Sequence, residues 1–477
     1  AAAHGDETEG VPTLHADHGE DGGHSPSTAH ATPHAWAVTP FVGLLLGIAL
    51  FPLFELTALW WESNRNRFLT ALVCAGLTLA YYFFIYGGWD SVRAAIDHAI
   101  IGEYIPFIVL LFSLYVISGG IRIGGDLTAT PATNTVFLIA GALLASFVGT
   151  TGAAMLLVRP LIDTNDERKY VQHTIVFFIF VVCNCGGCLL PIGDPPLFLG
   201  YLLGVKFLWT LWNLWLPWLA VNALLVTIYY LLDRTYYYPK EALSDLRRDT
   251  RDTRPLKIQG LFPNAWLLLG VILSIALLDP SKLILGWRPW PFLREIVQLL
   301  LVAASLWYTP DRIRAANKFN YHAIQEVAAL FIGIFICMQP AIEILHEKGG
   351  DFGLDTPTEL FWVTGGLSAV LDNAPTYVVF FETAAADPRF QGTQFAELVS
   401  GSSELSGIAC HLLMAISLGA VFLGSMTYIG NGPNFMVRAI AEEAGIKMPS
   451  FFGYVLRYSL PILVPVFFVV TYFFLPS

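Results

Sequence analysis

Charge is what this sequence has least of. Asp, Glu, Lys and Arg make up only 13% of its 477 residues, and 55% are hydrophobic; a soluble chain would carry about 25% charge. Cysteine is sparse as well. Of the six, Cys74, Cys337 and Cys410 stand alone in apolar runs as small packing residues, so no disulfide framework is suggested. Four signatures are missing: Walker A, G-x-G-x-x-G, H-E-x-x-H and G-x-S-x-G. Their absence argues against an enzyme and against ATP-driven transport. No cofactor and no nucleic-acid partner is expected.

Apolar residues are bunched into runs, several of which reach the ~20 residues that span a bilayer. A β-barrel would show short alternating segments. The pattern implies an all-α polytopic membrane protein. Spans fall near 37–55, 68–87, 104–118, 173–204, 209–232, 263–279, 292–309, 321–345, 407–445 and 453–475. The runs at 173–204 and 407–445 are too long for one straight helix and are expected to break. Segments near 133–162 and 357–386 break at GTTG (149–152) and LDNAP (371–375) and read as re-entrant hairpins. The expected architecture is about ten crossings, two broken helices and two hairpins.

Residues 1–35 differ. They are acidic, hold six of the eleven histidines and show no apolar period. They are expected to form a disordered extracytoplasmic tail with at most weak affinity for Zn²⁺ or Ni²⁺. An Ala-rich start without Met fits a chain trimmed after a signal peptide. Basic residues orient the rest. With the N-terminus outside, the loops holding Arg65 and Arg67, Arg159, Arg168 and Lys169, and Arg312, Arg314 and Lys318 fall inside, as does 233–262 with its seven basic residues. The expected location is an inner (plasma) membrane of bacterial type, with both ends extracytoplasmic. Residues 36–232 read as a first transmembrane repeat, 233–262 as a basic cytoplasmic linker, and 263–477 as a second repeat. Each repeat has five crossings, an odd number, so the second is upside-down relative to the first.

One motif is written twice. PIGDPPLFL (191–199) and YIGNGPNFM (428–436) share Gly, then Asp or Asn, then Pro and Phe, 237 positions apart. Unwound backbone inside a membrane is tolerated only where protein or a water-filled cavity satisfies it. Gly193, Gly430 and Gly432 permit such backbone. Asp194 and Asn431 suit helix caps, and Pro195, Pro196, Pro375 and Pro433 suit the start of a following half-helix. Aligning Ser146 with Ser368 sets Thr151 opposite Asn373. Four helix starts would converge near the midplane, where inverted-repeat transporters bind substrate.

Such a convergence makes a positive field that alone would suit a dicarboxylate. Asp194 and Asp372 offset it and favour a cation or a proton, and ionisable residues inside a membrane are functional candidates. A small alkali ion wants hard oxygen ligands. Asp194, Asp372, Asn373, Thr376, Asn431, Asn184, Thr150, Thr151, Ser425 and Thr427 could supply them. Glu326, Glu343 and His346, near run ends, read as snorkelling to water. Cys183, Cys185 and Cys188 form CNCGGC, which could offer thiolates to a soft metal or to arsenite. Small residues easing close helix packing are the preferred reading.

At LDNAPT (371–376), IGDPP (192–196) and IGNGPN (429–434) the chain resembles the ion transporter superfamily, over roughly 36–477. GTTGAAMLLVRPLI (149–162), GDPPLFLGYLLGV (193–205) and GNGPNFMVRAIAEEAGI (430–446) look most like D-type (NhaD-like) sodium/proton antiporters. The resemblance implies ion- and proton-linked roles for Asp194 and Asp372, and polar-ligand roles for Asn373, Thr376 and Asn431. The first expectation is therefore secondary exchange of Na⁺ or Li⁺ for H⁺. Transport of a carboxylate or of arsenite or another oxyacid is the alternative. A non-transporting membrane subunit of a larger assembly is a third reading, and a homodimer or membrane complex stays open.

Overall fold

The computed structural model describes residues 32–251, 253–280, 288–390 and 393–475; the His-rich segment up to residue 31 lies outside them. The protein is mostly helical. Helix α1 covers Thr39–Leu50, α2 Asn64–Tyr86 and α3 Gly88–Ser118. A short strand, β1 (Arg122–Asp126), precedes α4 (Pro131–Val148) and α5 (Thr150–Thr164). Then come α6 (Gln172–Val181), α7 (Pro195–Leu202) and α8 (Trp209–Lys240). Strand β2 (Arg254–Gln259) leads to α9 (Leu261–Leu277), α10 (Leu293–Tyr308), α11 (His322–Cys337) and α12 (Gln339–Lys348). The last elements are α13 (Pro357–Ser368), α14 (Asn373–Ala385), α15 (Glu404–Leu423), α16 (Gly432–Glu443) and α17 (Phe451–Phe474).

Among the described residues six helices are long and apolar enough to cross a membrane: α2, α3, α4, α8, α15 with its extension to Met426, and α17. Helices α11 and α12, bent by 42° where they meet, would make a seventh. Helix α3 begins well before the expected 104. The charges that set that boundary are absorbed by the helix: Arg93 lies 3.7 Å from Asp97 one turn on, and Glu103 is buried against Gln339. The segment 233–262 is also more structured than a linker. Helix α8 runs into it, Leu243–Arg251 is helical, and β2 pairs antiparallel with β1, Arg122 opposite Gln259 and Ile123 opposite Ile258.

Burial orders the helices. Helix α6 is apolar beyond its polar first turn, and every residue from His173 to Val181 is buried, as expected of an interior helix. The apolar window of α15 is 72% buried and that of α2 only 28%; α15 is therefore central and α2 presents its apolar surface outward. Close contact of α13 with α15 depends on small residues: a Cβ at Gly419 would stand 2.6 Å from the Phe361 carbonyl oxygen.

Both overlong runs are broken, as the sequence implied, and they break in the same way. Between α6 and α7, and between α15 and α16, the α-helix is interrupted. A Cβ at Gly193 would stand 2.0 Å from the Gly187 carbonyl oxygen, and one at Gly430 2.6 Å from that of Gly424. Each pair is related to the other by the same 237-residue offset as the motif itself. The half-helices α7 and α16 start from matching backbone, φ −145° and ψ 144° at Asp194 against φ −154° and ψ 138° at Asn431.

The turn into α6 is fastened to the end of α8 by buried charges. Arg168 meets both oxygens of Asp233, at 2.6 and 3.0 Å, and donates to Glu241 at 3.3 Å. His173 Nε2 is 3.0 Å from Asp233, and its ring stacks on Tyr237. Removing one partner of a buried ion pair strands the other. Asp233→Ala should lower stability by about 3–5 kcal/mol, read as a fall in thermal midpoint in detergent. Arg438→Ala, which breaks an exposed pair with Glu442, should cost under about 1 kcal/mol. Gly193→Ala should abolish the monodisperse fraction on size exclusion, whereas Gly432→Ala, with no atom within 4 Å of the added carbon, should be tolerated.

Candidate functional site

The two breaks meet around Asp194. The sequence suggested that Asp194 and Asn431 cap their own helices, and neither side chain does so. Pro195 and Pro196 supply no N–H at the start of α7, and Pro433 none in the first turn of α16, so fewer backbone donors compete for these side chains. They turn towards each other instead. Asn431 Nδ2 donates to Asp194 Oδ1 at 3.1 Å. Thr150, the first residue of α5, donates its hydroxyl to the same oxygen at 2.9 Å, and Asn373, the first residue of α14, donates Nδ2 to Oδ2 at 2.7 Å. Four chain segments thus contribute one side chain each, and all four residues are buried.

Hairpin tips hold this geometry. The Thr150 backbone N–H donates to the Gly193 carbonyl at 2.8 Å, clamping the first break. The Thr427 hydroxyl donates to the Ala369 carbonyl and accepts from the N–H groups of Ile429 and Gly430, clamping the second. Ser425 donates to the carbonyl of Phe422 within its own break. Thr427 and Ser425, candidate ligands by sequence, are thus engaged as braces. Asp372 is partly buried and caps α14 by accepting from the Ala374 N–H at 3.1 Å; Thr376 donates back to the Asp372 carbonyl at 2.9 Å. Thr151 follows Thr150 on α5 and is half-buried.

Asn184 lies one step out. Its Nδ2 donates to Asn434 Oδ1 at 2.7 Å, and its Oδ1 accepts from Asn431 at 3.3 Å. Asn434 in turn donates to the carbonyls of Gly424 and Thr427, both at 2.9 Å. Sequence reading passed over Asn434. The signal was there: the 237-residue offset sets this Asn opposite Leu197, a polar residue where the other copy is apolar. Cys183, Cys185 and Cys188 are buried as free thiols. Among the described residues no group of three His, Cys, Asp or Glu side chains is arranged to hold a metal ion.

Electrostatically the centre is one-sided. Among the described residues Asp194 is in no ion pair, and all its hydrogen-bond donors are neutral. Beside it, Asn373 Oδ1 is buried with no hydrogen-bond partner. A buried carboxylate without a countercharge is expensive, and an orphaned oxygen next to it adds to the negative side. The donor set, two carboxylate oxygens with amide and hydroxyl oxygens, suits a proton or a small hard cation.

Other polar residues pair within the bundle. Glu326 sits 2.6 Å from Arg67, and Glu343 accepts from the Tyr82 hydroxyl at 2.8 Å. His346 meets the buried Glu382 at 3.0 Å. Glu326 and Glu343 thus have partners inside the bundle, whereas His346 stays exposed at the end of α12 while it meets Glu382. Glu382, on α14 nine residues beyond Asn373, and Glu103 on α3 were hidden in apolar runs and are both buried.

Residues 29–475, nearly the whole chain, match the model of a family described as "Putative citrate transport". No curated protein matches the chain. With its apolar helices and this match the protein is a multi-pass membrane protein. It belongs to the citrate-transport family so described, a family of transporters.

Proposed function

We propose that this protein is a secondary transporter of a citrate-class carboxylate, with Asp194 carrying the coupling proton or Na⁺. The observation that carries the coupling role is the buried carboxylate held by Thr150, Asn373 and Asn431 with no cationic partner among the described residues. Membership of a citrate-transport family supports the carboxylate as cargo. The two halves are taken as inverted repeats, with the common 237-residue offset of the breaks in support. Alternating access then follows from movement of one repeat against the other around a fixed centre. Neutralising Asp194 from one side and releasing the ion to the other couples the two fluxes.

Exchange of Na⁺ or Li⁺ for H⁺ is the second reading. It is favoured by the same centre, whose acidic, oxygen-rich surroundings offer a carboxylate substrate no positive group.

Proteoliposomes with an internal pH dye separate the two. Citrate or succinate should drive proton movement, and Na⁺ or Li⁺ without a carboxylate should not. A response to the cations alone would replace carboxylate transport with cation exchange. In either case Asp194→Asn should reduce coupled flux by about a hundredfold or more while the protein still elutes as folded. Asp372→Asn should stay within about tenfold, since Asn caps a helix as well as Asp does. Equal losses in both would make Asp372 a ligand and not a cap.

A further inference from the structure

The far ends of α5 and α16 enclose a second site. These two half-helices begin at the centre, α5 with Thr150 and α16 directly after Asn431. Nine residues along α5, about 14 Å at the helical rise, stands Arg159. Between these far ends, β1 and the turn at Ala316–Lys318 lies a cavity of about 290 Å³. Arg122, Arg159 and Lys318 line it with one acid, Asp163, and the rest of the wall is Asn317 and apolar residues of β1, α5, α16 and the turn. This is the positive surface that the centre lacks.

The cavity is bridged at its edge by a carboxylate of the protein itself. Glu443, the last residue of α16, accepts from Lys318 Nζ at 2.7 Å and lies 3.9 Å from Arg159. Lys318 is also unusual in its backbone. It follows the helix Asp311–Ala316 with φ +49°, a left-handed position that normally favours Gly. Asn317 anchors the turn by donating to the carbonyls of Gly119 at 3.0 Å and Ile121 at 2.7 Å.

We propose that this cavity is the recognition site for a di- or tricarboxylate entering or leaving at the end of the bundle that carries the basic loops. A substrate carboxylate bridges Lys318 and Arg159 and displaces Glu443, which occupies that place in the free protein. Arg122 faces a further carboxylate. Glu443 is then an electrostatic latch between the two half-helices, opened by the substrate. The inference rests on the carboxylate reading given above.

The test uses the full chain and citrate, with two readouts: calorimetric binding in detergent, and KM for flux from each face of proteoliposomes. Lys318→Gln and Arg159→Gln should weaken citrate binding and raise KM at one face by about tenfold, the effect of losing a charged hydrogen bond. Glu443→Gln should do the opposite, tightening binding severalfold by removing the competitor. Added salt should weaken wild-type binding, and Arg438→Gln should leave it within twofold. If Glu443→Gln weakens binding as Lys318→Gln does, or if none of the three moves it beyond twofold, the proposal is overturned. Wild-type protein that binds citrate with this pattern yet moves none would sink the transport reading and leave the recognition site standing.

Discussion

The whole arrangement follows from hosting one carboxylate where water does not reach. A buried charge without a countercharge must either be neutralised or be surrounded by donors fixed in advance. Here the donors are neutral side chains, Thr150, Asn373 and Asn431, and each comes from a different segment. Neutral donors lower the cost of the charge without cancelling it, so the site remains able to take up a proton or a cation. An Arg or Lys in their place would hold Asp194 ionised and leave no room for that uptake.

Fixing those donors requires backbone that is not helical, and that requirement explains the glycines. The carbonyl of Gly187 passes so near Gly193, and that of Gly424 so near Gly430, that neither glycine has room for a side chain. The freed polar groups are then taken up locally, by the Thr150 N–H in the first break and the Thr427 hydroxyl in the second. The two copies share this construction but not their chemistry. Asp194 faces Asn431, and Leu197 corresponds to Asn434. One copy of the motif supplies the charge, and the other supplies an amide that donates to it.

Much of this was legible in the sequence. Duplicated polar motifs in apolar runs marked both breaks and singled out Asp194 and Asn431, and the hairpin breaks GTTG and LDNAP singled out Thr150 and Asn373. What escaped has physical reasons. Capping preference could not reveal that Asp194 and Asn431 turn inward, because the first turns of their helices are filled by Pro195, Pro196 and Pro433 and leave few donors to cap. Charge set the wrong start for α3, because a side chain such as Glu103 can be satisfied by Gln339 across a helix interface. The segment 233–262 was read as a linker from its polarity, yet Asp233 and Glu241 fold back onto Arg168, a pairing between residues too far apart in the chain for local pattern to show.

An acidic centre in a family linked to citrate poses an apparent conflict, since a site that favours cations should repel a polycarboxylate. The conflict eases if the tasks are divided along the half-helices. On that division their N-terminal ends meet at Asp194, where a proton or cation would be held, and their far ends border Arg122, Arg159 and Lys318, where an anion would be held. Displacement of Glu443 by the anion would break its link to Arg159 on α5, the half-helix that presents Thr150 to Asp194. Each ion can then change the other's affinity through rigid helices, and by linkage the effect must be reciprocal. Recognition of the anion at the far end and uptake of the cation at Asp194 would then be one coupled event.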